Sequence, residues 1–581
     1  MRYFISLCLA LLLSNAVWAA DAVLRYELVG LKGPLLTNAQ AWLGDLPETS
    51  QERLNYLVTA EERVEKSLQA LGYYRAVIEL DVQRTEPQWL LTVTVEPGEP
   101  VLIESVSLEL AGGAATDEQF AKLLAAAPFV VGDVLNQGDY ERFKTSLLTL
   151  GQERGYFDAA FTTNRVAVNA AANTAQIDLH YDSGARFRFG ALSYDEAEID
   201  PELLRSLQPF SEGDYFSQAS LQRFQAQLQG TRYFSGVLLR PQLADAKDGK
   251  IPLTLQLYPA RSHSFDVGVG YSTDTQERVS FIWRTPKINS RGDSQETRIS
   301  WSAVNPSGRF TYSIPMGNPL EDILHLSAEI ENNKYGDIDS RQKQLGVRRE
   351  TRWNDWLLGF SLRGLDESWE LKNEKENDIY TLPGISISRR DHVGLLVDPT
   401  DGFSQLYQVE MASKSLASDT NLLRATADYR MVYTPLPRNR LVGRVQLGGA
   451  FLTDSDPREL APSLNFFAGG SQSIRGYGYQ SIGAEIDVQR DDGSNQTLIV
   501  GGNRLVVGSI EYQYYFTPTW RGAMFVDAGD AFDDGEFDLK VGPGFGIHYI
   551  SPVGAVRLEF ANSASDRDPA WRMHLNIGAE F

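Results

Sequence analysis

The chain changes its hydrophobic period near the middle. From Ala22 to about His263, apolar positions recur at helical spacing and then at strand spacing, three times over. Ala60, Val64, Leu68 and Leu71 share one helix face, and Gly72 can end that helix. Phe143, Leu147 and Leu150 do the same in a second stretch. Leu221, Phe224 and Leu228 do so in a third, between a Ser217 cap and Gly230. An aromatic turn follows each helix: Gly72-Tyr73-Tyr74, Gly155-Tyr156-Phe157 and Arg232-Tyr233-Phe234. Two strand-like runs come next in every copy, and Gly132-Asp133 and Gly213-Asp214 precede two of the helices. The interval of about 80 residues is too long for a solenoid repeat. It predicts three tandem β-α-α-β-β domains, at 20–100, 101–185 and 186–263.

Beyond His263 the period becomes two. Phe265, Val267, Val269 and Tyr271 alternate with Asp266, Gly268 and Gly270. Ile510, Tyr512, Tyr514 and Phe516 alternate with Ser509, Glu511 and Gln513. Val556, Leu558 and Phe560 alternate with Ala555, Arg557 and Glu559, and Met573, Leu575 and Ile577 with His574, Asn576 and Gly578. A soluble sheet with one wet face shows the same alternation. Two features favour a barrel closed in lipid: the strand pattern runs from 264 to 581 with no helix to cover a sheet, and the last residue, Phe581, falls on the apolar face. Roughly 16 strand candidates fit the range of outer-membrane barrels. "TPTW" and "SPVG" read as short turns, "DESWELKNEKEND" as a long acidic outer loop. Pro543 cannot donate to a ladder, so its strand is expected to begin nearer Gly544.

Charge and composition narrow this further. The net charge is −22, with 76 acidic residues against 54 basic ones, which argues against nucleic acid as a partner. Residues 1–19 combine Arg2, an apolar run from Phe4 to Leu13 and Val17-Trp18-Ala19, the pattern of a secretory signal peptide. The single cysteine, Cys8, lies inside it, so no disulfide is expected. No later run reaches the roughly 18 apolar residues of a membrane helix. The six histidines show no metal-ligand spacing, and there is no G-x-S-x-G elbow or Walker lysine. No metal, cofactor or enzyme activity is expected; a constellation of residues distant in sequence is the one catalytic route left open.

One loop stands out. "FFAGGSQSIRGYGYQSIGAE", Phe466 to Glu485, holds five glycines and one arginine, Arg475. It lies in a stretch, about 453–503, long enough to fold back into a barrel. In "RGAMFVDAGDAF", Met524, Val526 and Ala528 alternate with Phe525 and Asp527. If the smaller apolar set faces lipid, Phe525 and Asp527 point into the lumen, as does Glu511 on its own strand. An inward carboxylate needs a partner or water. Arg475 is therefore expected to reach Asp527, with Glu511 as a second partner. Barrel closure would pair Ser264–Ser272 with Met573–Phe581. Gly268, Gly270 and Gly578 should weaken that seam, and Val267 and Ile577 are the positions chosen to span it.

These features together resemble the BamA/TamA superfamily of outer-membrane assembly proteins. The resemblance rests on Ile474-Arg475-Gly476-Tyr477, on the strand motif Phe525-Val526-Asp527-Ala528-Gly529, on "GGNRLVVGSIEYQYYF" between them and on the terminal Phe581. It covers nearly the whole chain beyond the signal peptide and implies periplasmic POTRA domains ahead of a 16-stranded outer-membrane barrel, with the arginine of the loop motif seated in the lumen. Three POTRA repeats resemble the TamA branch most. That branch implies a factor that helps β-barrel proteins such as autotransporters enter or cross the membrane through a lateral seam. It also implies a TamB-like, inner-membrane-anchored partner at the first POTRA, unfolded outer-membrane clients, outer-membrane lipid at the barrel wall, and Phe581 as the chain's own assembly signal. The other reading is a passive pore or a two-partner-type secretion channel.

Overall fold

A computed structural model describes residues 24–85, 88–195, 199–371, 374–395, 398–453, 460–489, 495–551 and 554–578. The signal-peptide stretch with Cys8, part of "SPVG" and Phe581 lie outside the described residues. Two compact units are present: residues up to 193 with 210–222 and 240–254, and residues 194–209, 223–239 and 255 onward.

The N-terminal part contains three β-α-α-β-β repeats, as the triple period predicts. The first comprises β1 (Leu24–Val29), α1 (Gly33–Leu43), α2 (Ser50–Gln69), β2 (Val77–Thr85) and β3 (Gln88–Glu96). The second comprises β4 (Leu102–Ala111), α3 (Glu118–Ala125), α4 (Gln137–Arg154), β5 (Ala160–Asn169) and β6 (Thr174–Asp182). In the third are β7 (Arg188–Ser193), α5 (Pro201–Leu207), α6 (Gln218–Gly230), β8 (Phe234–Pro241) and β9 (Lys250–Pro259). Each sheet places its last strand in the middle: β1-β3-β2, β4-β6-β5 and β7-β9-β8. Helix α2 starts where Thr49 Oγ1 accepts the Glu52 N–H at 3.2 Å. Its face of Ala60, Val64 and Leu68 is fully buried with Leu91, Val93 and Val95 of β3. Gly72 closes it with a φ of +91°, and a Cβ there would stand 2.5 Å from the Leu135 carbonyl oxygen.

From β10 (Ser264–Ser272) to β27 (Trp571–Gly578) sixteen strands close into one antiparallel barrel. Its first wall holds β11 (Gln276–Thr285), β12 (Ser294–Ser302), β13 (Ser307–Pro315), β14 (Asp322–Tyr335) and β15 (Ile338–Trp353). Next come β16 (Trp356–Leu371), β17 (Glu374–Leu395), β18 (Asp398–Ala412), β19 (Leu422–Leu436) and β20 (Asn439–Leu452). The small hairpin β21 (Glu485–Gln489) and β22 (Asn495–Ile499) stands apart from the wall. The barrel then resumes with β23 (Arg504–Tyr515), β24 (Trp520–Phe532), β25 (Lys540–Ser551) and β26 (Gly554–Asn562). Side chains alternate as the period of two requires. Val267 and Val269 on β10, Ile510 on β23 and Met524 on β24 are exposed outward, whereas Glu511, Phe525, Asp527 and His574 are buried inward.

Part of the interior is packed by the long loop. Leu464, Phe466, Ile474 and Ile482 of the long loop pack against Ile338, Leu365, Trp369, Tyr380 and Leu382 of the wall. Two expectations need correction. "DESWELKNEKEND" is not a long loop: β16 runs to Leu371 and β17 restarts at Glu374. The physical reason is continued alternation, since Leu365, Glu367 and Trp369 face inward and are buried under the loop. Strand β25 begins at Lys540 and includes Pro543, which pairs with Val526 of β24. Its other edge meets β26 only from Gly544 onward, so the missing N–H deprives no ladder.

Candidate functional site: the lumen loop and the seam

Glycine lets the loop lie against the wall. Gly476 has a φ of +97°, and a Cβ there would come within 2.7 Å of the Asn562 carbonyl oxygen. From the wall side, a Cβ on Gly542 would sit 1.8 Å from the carbonyl oxygen of Arg475. Gly529 of β24 lets the wall strands themselves approach, with Val506 O of β23 2.1 Å from where its Cβ would be. Ile474 is buried in the lumen core, and the Tyr477 hydroxyl is 2.8 Å from Ser565 Oγ.

Arg475 is 3% exposed and fully engaged. Its Nε and Nη2 donate to the two oxygens of Asp527 at 2.7 and 2.9 Å, and its backbone N–H donates to Asp527 Oδ2 at 2.9 Å. Nη1 donates to Glu511 Oε2 at 2.7 Å and to Glu559 Oε1 at 2.9 Å. The guanidinium carbon stands 3.2 Å from the Phe525 ring centroid. This fork geometry suits arginine and no other side chain. His548 Nδ1 accepts from Arg521 Nε at 3.1 Å, so its Nε2 carries the proton toward Glu559 Oε1 at 3.0 Å. Ligand atoms of Glu511, His548 and Glu559 lie within 4.8 Å of one another, and by type they would suit a divalent cation. Nη1 of Arg475 already sits on both carboxylates, so the guanidinium takes the cation's place.

Among the described residues, the seam between β10 and β27 is the most sparsely paired junction. Adjacent barrel strands elsewhere share seven or more ladder pairs, the fewest between β12 and β13. Among the described residues, β10 and β27 share one, Ser272 with Asn576. Thr273 adds a backbone N–H to the Leu575 carbonyl at 3.1 Å. In this register Tyr271 stands opposite Ile577 and Gly270 opposite Gly578, and the positions opposite Val269, Gly268 and Val267 fall at 579–581, outside the described residues. Val267 and Ile577 therefore do not face each other: Ile577 O lies beside Gly270, 3.6 Å from where a Cβ would be. On its other edge Gly268 pairs with Ser280 of β11, whose Oγ is 2.5 Å from its Cβ position.

The loop touches both sides of this seam. Ser471 donates its N–H and its hydroxyl to Asp274 Oδ2, at 2.7 and 2.6 Å, in the first hairpin. Gly476 donates its N–H to His574 Nε2 of β27 at 3.1 Å. That bond leaves the ring proton of neutral His574 on Nδ1, 3.8 Å from Asp274 Oδ1 across the seam. Arg444 Nη1 holds the loop tip through the Gln472 carbonyl at 2.6 Å. A cavity of about 520 Å³ lies behind the seam, lined by Gly270, Asp274, Arg278, Arg557, Asn576 and the loop tip.

Asp527 and Glu511 thus stand where alternation places them, and both meet Arg475. Glu559 and His574 were missed although the same parity points them inward. Asp274, Ser471 and Gly542 carry no sequence signal, because their partners depend on the path of the loop.

Comparison with known proteins places these features. Residues 25–97 match the POTRA domain described as TamA domain 1. The outer membrane protein assembly factor BamA of Nitratidesulfovibrio vulgaris (strain Hildenborough) is 25% identical over 383 residues, 62% of this chain and 46% of that protein. The chain therefore spans about half the length of that relative. The crystal structure of BamA from Haemophilus ducreyi lacking POTRA domains 1–3 is similar with a TM-score of 0.70 at 15% identity, over 82% of this chain and 99% of that one. CdiB from Acinetobacter baumannii has a TM-score of 0.46 at 13% identity, over 94% and 99%. The first of these structures shares the fold. The Omp85 superfamily domain matches residues 261–581, more than half of the chain and the whole of its barrel, and the chain belongs to the Omp85 superfamily.

Proposed function

We propose that the protein is an outer-membrane assembly factor whose barrel opens sideways between β10 and β27 to let a client strand pair with the freed edge. The observation that carries this reading is the seam, where the described residues of β10 and β27 share one ladder pair, Ser272 with Asn576. Unpaired strand edges in lipid are costly, so an edge freed at this seam is a template for another strand. The lumen loop is the catch: Ser471 and Gly476 hold opposite sides of the seam, while Arg475 anchors the loop to β23, β24 and β26. Clients would be other β-barrel proteins, autotransporters among them. The chain would sit in the outer membrane with its three POTRA repeats in the periplasm. The match of residues 25–97 to a TamA-type POTRA supports a TamB-like partner docking on the first repeat. No covalent chemistry enters this mechanism.

The test is a disulfide between Ser272→Cys and Asn576→Cys, in a chain whose one cysteine is Cys8. Antiparallel partners lie within the roughly 4.4–6.8 Å Cα separation a disulfide needs. Oxidation should abolish client assembly in reconstituted membranes, and reduction should restore it. Undiminished assembly with the bond formed would leave the passive channel as the better reading.

A further inference from the structure

The outer wall from β13 to β17 carries a feature that the seam does not use. Outward residues form ladder rows across these strands. One row reads Phe310, Ala328, Leu345, Gly364, Thr381. Large and small residues alternate in it, so Ala328 and Gly364 leave hollows beside Leu345, which is 70% exposed. A Cβ added to Gly364 would meet no atom nearer than 3.9 Å. The result is a groove of about 660 Å³ on the outer face.

Cations crown this groove. The next row reads Ile330, Lys343, Asp366, Ile379, and the row beyond it Asn332, Arg341, Ser368, Asn377. Lys334 follows two residues after Asn332 on the same face, with Asp339 as its ladder partner. Lys343 Nζ is 2.9 Å from Asp366 Oδ2 and keeps further donor capacity. Among the described residues, Arg341 and Lys334 have no ion-pair partner. Arg341 and Lys343 are two apart on one strand, about 7 Å. The crown lies at the barrel end away from the turn before β14, where Ser206 meets Gly317 and Gly230 meets Leu320.

We propose that this groove is a binding site for a phosphorylated membrane lipid, an acyl chain lying over Ala328, Leu345 and Gly364 and the phosphate held by Lys343, Arg341 and Lys334. Apolar hollow and cations meet at the depth where a lipid tail gives way to its headgroup, and the three cations outnumber Asp339 and Asp366 beside them, an excess of the sign that attracts phosphate. A protein occupant would have to bury Arg341 and Lys334 against carboxylates of its own. The proposal rests on the barrel being embedded in lipid and not on the opening of the seam, so a failed disulfide test leaves it standing.

The test uses the full-length protein in detergent, probed by native mass spectrometry with three ligands: bis-phosphorylated lipid A, the same lipid stripped of phosphate, and inorganic phosphate. The wild type should retain the phosphorylated lipid. Lys334→Gln/Arg341→Gln/Lys343→Gln should lower retention about tenfold or more. Gly364→Phe, which fills the hollow and keeps the cations, should lower it as well. Heat-modifiable gel mobility reports that each barrel has folded. Equal retention of the stripped lipid would mean annular contact only, and full competition by inorganic phosphate would mean an ion site only. Either result overturns the proposal, as does unchanged retention by Gly364→Phe.

Discussion

Arg475 meets three carboxylates and an aromatic ring from one guanidinium, and the cost of losing it follows from what would be left. Asp527, Glu511 and Glu559 are buried on the lumen side of three strands. Without the arginine they become uncompensated charges, a loss on the order of 3–5 kcal/mol. Arg475→Ala should still insert as a barrel, yet its loop should become sensitive to protease between residues 466 and 485 while the wild-type loop resists. Arg475→Lys should rescue little, because an ammonium cannot engage two oxygens of Asp527 and two further carboxylates together. A second residue-scale prediction concerns pH. Burial alone would raise the carboxyl of Asp117 in the second repeat, but hydrogen bonds from Arg154, the Gln119 N–H and Tyr156 outweigh it and hold the group below its usual value. The stability this contributes is present above the unfolded carboxylate value, about 3.9, and is lost as pH falls through the depressed native one. Proteolysis of the second repeat should therefore accelerate below about pH 4, and Asp117→Asn should flatten that dependence at the expense of stability at neutral pH.

Loop and wall fit each other at the element scale through two glycines, Gly542 of the wall against the Arg475 carbonyl and Gly476 of the loop against the Asn562 carbonyl. Gly542→Ala would drive a methyl into the Arg475 carbonyl, 1.8 Å from the Cβ position, with no room to yield. Loop displacement is the expected result, with protease sensitivity like that of Arg475→Ala although every charge remains. A resistant loop in this variant would show that the wall can shift instead. What the sequence made legible follows the same division. The three repeats and the sixteen strands could be read because helix and strand periods depend only on near neighbours. Asp527 and Glu511 could be read because strand parity fixes which side chains face inward. The contact of Ser471 with Asp274, 197 residues away, could not, since nothing local sets the loop's path. The hairpin of β16 and β17 was misread because its acidic residues outnumber the inward Leu365 and Trp369 that keep it a strand.

For the whole molecule, the described part of the long loop turns a portion of the lumen into a packed core. Leu464, Phe466, Ile474 and Ile482 each contribute on the order of 1.5–3 kcal/mol of burial inside the cylinder. The wild-type protein in a planar bilayer should conduct only in small or brief steps, and Arg475→Ala should raise the mean conductance several-fold. An equal conductance in both would place the constriction outside the loop.

Because the loop grips the first hairpin through Ser471 and the last strand through Gly476, its anchoring and the closure of the seam are linked equilibria. Linkage is reciprocal: a strand that binds the parted edges tenfold more tightly when the loop is loose must loosen the loop by the same factor. Arg475→Ala should then raise the affinity for an edge-binding peptide, so that a weakened anchor makes a better receptor. The residue that steadies the resting barrel would, on that account, also set how much a newcomer must spend to enter.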